Sequence, residues 1–83
     1  MSKSTKISFE NRDQYVSLGL NIAYYRKMQG MNQLQLAEKA NVSRSHLSAI
    51  EAPNMITNVS LEVLFNIAKA LDVTPAQLLE LRK

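Results

Sequence analysis

Apolar residues recur along this chain at helical spacings almost from one end to the other. Leu18, Ile22 and Tyr25 fall at i, i+4, i+7, the repeat of one helix face. They predict a first helix from about Asp13, placed as its N-cap, to Gln29. Gly30 follows at the position where helices end in left-handed backbone. Leu36, Ala37 and Ala40 predict a second helix over 33–40 behind an Asn32 cap. Leu47 and Ile50 predict a third, from Arg44 to about Ala52, behind a Ser43 cap. Pro53-Asn54 stops it. The longest stripe, Leu61, Leu64, Ile67, Ala68 and Leu71, belongs to a fourth helix capped by Ser60. Thr74-Pro75 opens a short fifth helix, with proline at its first helical position and Leu78, Leu79 and Leu81 following. Residues 1–12 lack a period, although Ile7 and Phe9 alternate as in a strand, and are expected to form a mobile tail. The pattern therefore predicts an all-α domain over 13–83, a compact bundle of five short helices without repeats or low-complexity segments.

The middle of this pattern carries the most information. Residues 32–51, NQLQLAEKANVSRSHLSAIE, read as a short helix, a tight turn and a second helix with a polar outer face. Asn41 stands where the chain must reverse, and asparagine is the non-glycine residue that most readily accepts a positive φ. Ala37 is small where two helix axes must cross closely. Two helices joined by a three- to four-residue turn at a steep angle make the DNA-binding helix-turn-helix, whose second helix enters the major groove. The expectation is a sequence-specific binder of double-stranded DNA.

Composition narrows the field further. A chain of 83 residues makes one small domain, which buries only about 60% of its unfolded-chain surface. It has no cysteine, so neither disulfides nor a thiolate metal site supports it, and a reducing, cytoplasmic home is expected. No apolar run approaches the ~18 residues of a membrane span, and the polar start MSKSTKISFE lacks a signal-peptide core. The net charge of +3 favours a polyanionic partner mildly. Between residues 31 and 60, Lys39 and Arg44 are balanced by Glu38 and Glu51, whereas a general DNA binder carries a denser basic stripe. Affinity must then come from a few cationic contacts, helix N-terminal amides and polar side chains.

Taken together, Asn32-Gln33, Leu36-Ala37, Val42-Ser43-Arg44-Ser45, Leu47-Ser48, Ile50-Glu51, Ser60-Leu61-Glu62, Leu64, Ile67-Ala68, Ala70-Leu71, Val73 and Leu78-Leu79 resemble the lambda-repressor-like helix-turn-helix domains of the Cro and Xre type. The resemblance runs from about Leu18 to Leu79. It implies a five-helix domain that binds operator DNA, usually as a homodimer, and a role as a transcriptional regulator, here expected to be a repressor. Carried over by position, Gln33 matches the residue that contacts phosphate and steadies the recognition helix, and Asn32 matches a backbone-contacting cap. Ser43, Arg44, Ser45 and Ala49 match the positions that face base edges. Asn41 departs from the usual turn glycine. Ala49 stands where Arg or Gln is frequent, and the loop APNMITNV is about two residues longer than usual and lacks basic residues.

Among these positions Arg44 has the clearest chemistry, since a guanidinium can donate two parallel hydrogen bonds to guanine O6 and N7. Ser43 is explained equally by capping. Ser45 and Ser48 are small and polar on the outer face, which suits close approach to a duplex or simple solvation. The lone His46 supplies neither a metal cluster nor a catalytic triad. Arg26 lies four residues after core Ile22 and Glu51 four after core Leu47, so both charges sit at the edge of a buried stripe. A structural salt bridge between them follows, and the resemblance implies one there too.

No carboxylate pair, glycine-rich phosphate loop or nucleophile suggests an enzyme, and neither a cofactor, a metal nor a small-molecule ligand is expected. The rival reading is a protein-interaction module, such as an antitoxin or a regulator acting through a partner protein. Leu78, Leu79 and Leu81 are more apolar surface than so short a helix can bury alone: Leu78 and Leu79 are expected to touch the core edge and Leu81, nearly opposite Leu79, to face outward, with Met55, Ile56 and Val59 extending the patch. A homodimer is expected on that ground.

Overall fold

A computed structural model describes residues 7–82. Five α-helices appear: α1 Arg12–Met28, α2 Gln33–Ala40, α3 Arg44–Glu51, α4 Leu61–Leu71 and α5 Pro75–Leu79. A 3-10 turn, Phe9–Asn11, leads into α1. Leu18, Ile22, Leu36, Leu47, Leu64, Ile67, Leu71 and Leu78 meet in one core. Helix α2 packs on α3 and α4, while α1 packs on α3 and α5. No helix among the described residues is long and apolar enough to cross a membrane.

The start of α1 differs from the expectation. Asn11, not Asp13, is the N-cap of α1 and makes no side-chain capping bond; Ser8 caps the preceding 3-10 turn, its Oγ accepting from the Glu10 N–H at 3.2 Å. The 3-10 turn then runs directly into α1, so Asp13 falls in the first helical turn, where its charge complements the helix dipole. The expected mobile tail lies outside the described residues for 1–6; from Ser8 onward it forms this turn, with Phe9 exposed in it.

The other caps follow the residue types. The side chains of Asn32, Ser43, Ser60 and Thr74 each accept the backbone N–H three residues on. In α2 and α5 the third residue, Gln35 or Gln77, returns a bond to the cap's N–H at 2.8 Å. Each such reciprocal pair satisfies two otherwise unpaired donors.

Three helices end alike. Gly30, Asn41 and Asp72 have φ of 72°, 56° and 57°, and the next residue's N–H reaches five residues back: Met31 to Arg26 at 3.1 Å, Val42 to Ala37 at 3.0 Å, Val73 to Ala68 at 3.0 Å. In each case the donor is an apolar residue tucked against the core, the hydrophobic contact that accompanies this ending. Two of the three, at Gly30 and Asn41, are where the pattern places them. The third was hidden, because aspartate seldom signals left-handed backbone.

Burial also redraws two apolar clusters. Leu61 is not part of the buried stripe of α4: it opens the helix and is 66% exposed. Around α5, Leu78 meets the core and Leu81 faces outward as expected, whereas Leu79, expected at the core edge, is more than half exposed. Leu78 is wholly buried and Leu79 is 55% exposed. Leu79 shares a shallow groove with Tyr15, Val59 and Leu61. Leu81 lies on another side, against Val16 and Leu20 of α1, and Ile56 sits near Ile7 and Phe9.

Candidate nucleic-acid interface

Helix α3 is held on one face and open on the other. Leu47, Ile50 and Glu51 are buried, whereas Arg44, Ser45 and Ser48 are exposed and Ala49 is half-buried. At 100° per residue, Ser45 and Ala49 are the positions most nearly opposite the buried ones, with Ser48 beside them. Arg44 stands at the first residue of the helix. Its guanidinium makes no ion pair among the described residues. Ser43 has its side chain engaged, its Oγ accepting from the His46 N–H at 3.0 Å. The outer ridge of α3 therefore carries only a methyl and two hydroxymethyl groups, with the one long cationic side chain at its leading end. A helix so trimmed can lie with its backbone close to whatever it faces.

The far end of α3 is fixed by a polar cluster that joins three helices. Arg26 Nε donates to Glu51 Oε2 at 2.9 Å and Nη2 donates to Oε1 at 2.9 Å, a two-point pair. Arg26 Nη1 also donates to the Met31 carbonyl oxygen at 2.8 Å, across the end of α1. Gln33, the first residue of α2, donates from Nε2 to Glu51 Oε1 at 3.0 Å. Arg26 and Glu51 are 8% and 7% exposed, so this is a buried pair held by several hydrogen bonds rather than a surface contact. Glu51 thereby ties the leading end of α2 to the trailing end of α3. Asn32 stands beside Gln33 with its Oδ1 accepting the Gln35 N–H. The structure thus links Gln33, Arg26 and Glu51 directly, and leaves the side chains of Arg44, Ser45 and Ser48 exposed on α3 without a partner among the described residues.

Two residues outside the sequence reading also shape this site. Gly19 sits inside α1 where α3 crosses it: a Cβ there would overlap the Ile50 carbonyl oxygen and lie 3.2 Å from the Ile50 carbonyl carbon and 3.3 Å from Glu51 Cα. The two backbones touch, and glycine is what permits it. A glycine inside an otherwise helical pattern was the available signal. Asn21, on the buried side of α1 between Leu18 and Ile22, is the other; a polar residue on an apolar stripe signals a specific partner. Among the described residues no group of His, Cys, Asp or Glu could hold a metal ion.

Comparison with known proteins agrees with this geometry. Over 63 residues the chain is 43% identical to the HTH-type transcriptional regulator SinR of Bacillus subtilis (strain 168), covering 76% of this chain and 56% of that protein. It is 43% identical over 58 residues to the immunity repressor protein of Bacillus phage phi105, covering 70% of this chain and 39% of that one. The chain therefore spans about half the length, or less, of the curated relatives it matches. Among solved structures, SinR in complex with DNA superimposes with a TM-score of 0.71, at 43% identity, over 76% of this chain and 98% of that one. C.Esp1396I bound to a 19 base pair DNA duplex gives 0.69 at 31% identity, over 86% and 87%. Residues 22–78 match the family model described as helix-turn-helix, and with these relatives they show that the chain belongs to the Cro/C1-type helix-turn-helix family.

Proposed function

We propose that the chain is a sequence-specific, double-stranded DNA-binding transcriptional regulator, not an enzyme, acting as a repressor by inserting α3, Arg44–Glu51, in the major groove. The observation that carries this reading is the two-sided character of α3: one face locked by Leu47, Ile50 and Glu51, the other open and made of short polar or methyl groups behind Arg44. Such a helix fits the groove without a clash and presents Arg44 to a guanine. Ser45, Ser48 and Ala49 lie against base edges, Ala49 offering its methyl to a thymine methyl. Ser43, Asn32 and Gln33 flank the helix where phosphates would run, and Gln33 keeps one amide hydrogen beyond its bond to Glu51. The solved DNA complexes of two relatives support a DNA partner.

Selection from a random duplex pool, then titration against the enriched site and a scrambled one, tests this. The enriched site should bind more tightly, with log affinity falling linearly in log salt. Equal affinity for both would leave only general polyanion binding. A salt-independent partner would favour the protein-interaction reading instead. Arg44→Ala should cost about 1–3 kcal/mol at the enriched site and relax preference at one base pair. A uniform loss on every sequence would make Arg44 a phosphate contact.

A homodimer completes the reading. Leu61 and Leu79 are both more than half exposed and share the groove with Val59 and Tyr15. That is the apolar surface a second copy could cover, and two-fold pairing is the commonest closed arrangement. Two recognition helices would then stand one DNA turn apart, roughly 34 Å, so each half-site needs few contacts. Sedimentation should show a concentration-dependent dimer that Leu79→Glu converts to monomer. A wild-type monomer at every concentration, free and on DNA, would remove the dimer.

A further inference from the structure

We propose that Asn21 is a positioning residue for the pairing surface: by clasping residues 80–82 against α1, it builds the end of α5 and so presents Leu79. The inference rests on the pairing reading given above. Asn21 is 1% exposed, and its side chain bonds to the last turn of α5 and to the segment that follows it. Its Nδ2 donates to the Leu78 carbonyl oxygen at 2.9 Å and to the Glu80 carbonyl oxygen at 2.7 Å. Its Oδ1 accepts from Arg82 Nε. One turn earlier on α1, buried Ser17 accepts the Arg82 backbone N–H on its Oγ at 3.0 Å. The Arg82 guanidinium then lies over the Tyr24 ring, 4.5 Å from its centroid, a cation–π contact. Three side chains along α1, those of Ser17, Asn21 and Tyr24, thus hold one short strap.

The need for such a clasp follows from the size of α5. A helix of five residues cannot sustain itself, since nucleation is unfavourable and its last carbonyls have no partner within the helix. Asn21 supplies that partner from another helix, acting as a C-cap delivered across the core. The two carbonyls it holds bracket Leu79 and Glu80, so they fix the backbone from which Leu79 projects into the groove beside Leu61. Release is coupled as well. If the strap lifts, a carboxamide buried between Leu18 and Ile22 loses its partners, which is costly in a dry interior. Strap and amide are therefore engaged together or not at all. An apolar residue would suit the stripe of α1 at this position; the amide serves the strap.

Asn21→Leu and Ser17→Ala in the full chain test this, read by residue-resolved amide exchange and by sedimentation. The amides of Leu78, Leu79 and Arg82 should exchange faster while those of α2, α3 and α4 keep their protection, and the dimer should weaken by about tenfold in Asn21→Leu. Ser17→Ala, which removes only the bond to Arg82, should show the same pattern more weakly and remains readable if Asn21→Leu folds poorly. Unchanged exchange at α5, dimers of wild-type strength, or a uniform acceleration in all five helices in both variants would each overturn the clasp. A wild-type chain that never pairs would defeat the pairing reading itself, whichever way the exchange pattern falls.

Discussion

Gly19→Ala should lower the stability of the domain by roughly 3 kcal/mol, at the top of the range for overpacking, and should weaken DNA binding even where the variant remains folded. The sign is the informative part. In an unconstrained helix the same change would stabilise by up to about 1 kcal/mol, because alanine is the better helix former. Here the added Cβ would overlap the Ile50 carbonyl oxygen and press on the backbone at Glu51. Neither obstacle is a flexible side chain, so relief requires α1 and α3 to separate. That movement would shift α3 as a body and pull Glu51 away from Arg26 and Gln33. Urea melts report the stability, and titration of the enriched DNA site at low temperature reports the displacement. An alanine variant as stable as wild type would show that the two backbones do not meet at Gly19.

Glu51→Ala should cost about 3–5 kcal/mol, since removing one partner of a buried pair strands the other. Arg26 would be left with its guanidinium among core residues and only the Met31 carbonyl to hold it. Gln33 would lose its acceptor at the same time. Glu51→Gln should be milder, because the amide can still accept one hydrogen bond. Arg44→Ala is the control: Arg44 is exposed, so its loss should change stability by no more than about 0.5 kcal/mol while it alters DNA binding. Urea melts of the three variants separate these cases. Coincident midpoints for Glu51→Ala and wild type would place the pair in solvent.

Much of the architecture was legible because its signals are local. A side chain that caps a helix needs only the three residues after it, and a left-handed ending needs only a permissive residue followed by an apolar one. Asn32, Ser43, Ser60, Gly30 and Asn41 are all of this kind. The errors have a common cause. Asp13 looked like a cap because the turn at Phe9–Asn11 has no periodic signal of its own. Leu61 looked buried because periodicity tells which face a residue occupies but not whether any neighbour covers that end of the helix. Leu79 was expected at the core edge beside Leu78, and Leu81 within α5, because spacing along a chain does not reveal that the helix ends at Leu79 and the chain then turns back along α1.

The candidate site divides in the same way. Periodicity and residue type alone determined that α3 has a polar outer side, that Arg44 stands at its leading end, and that Arg26 and Glu51 lie at the edges of buried stripes. Each depends on dihedral preference and the 3.6-residue repeat, which act within a few residues. Only the tertiary structure decided who meets whom. It gave Glu51 both Arg26 and Gln33, laid the Ile50 carbonyl against Gly19, and turned Asn21 from a flaw in an apolar stripe into the cap of a helix 57 residues further on. Those contacts depend on how helix axes cross. Crossing is set by the fit of all the packed side chains together, so no short stretch of the chain encodes it.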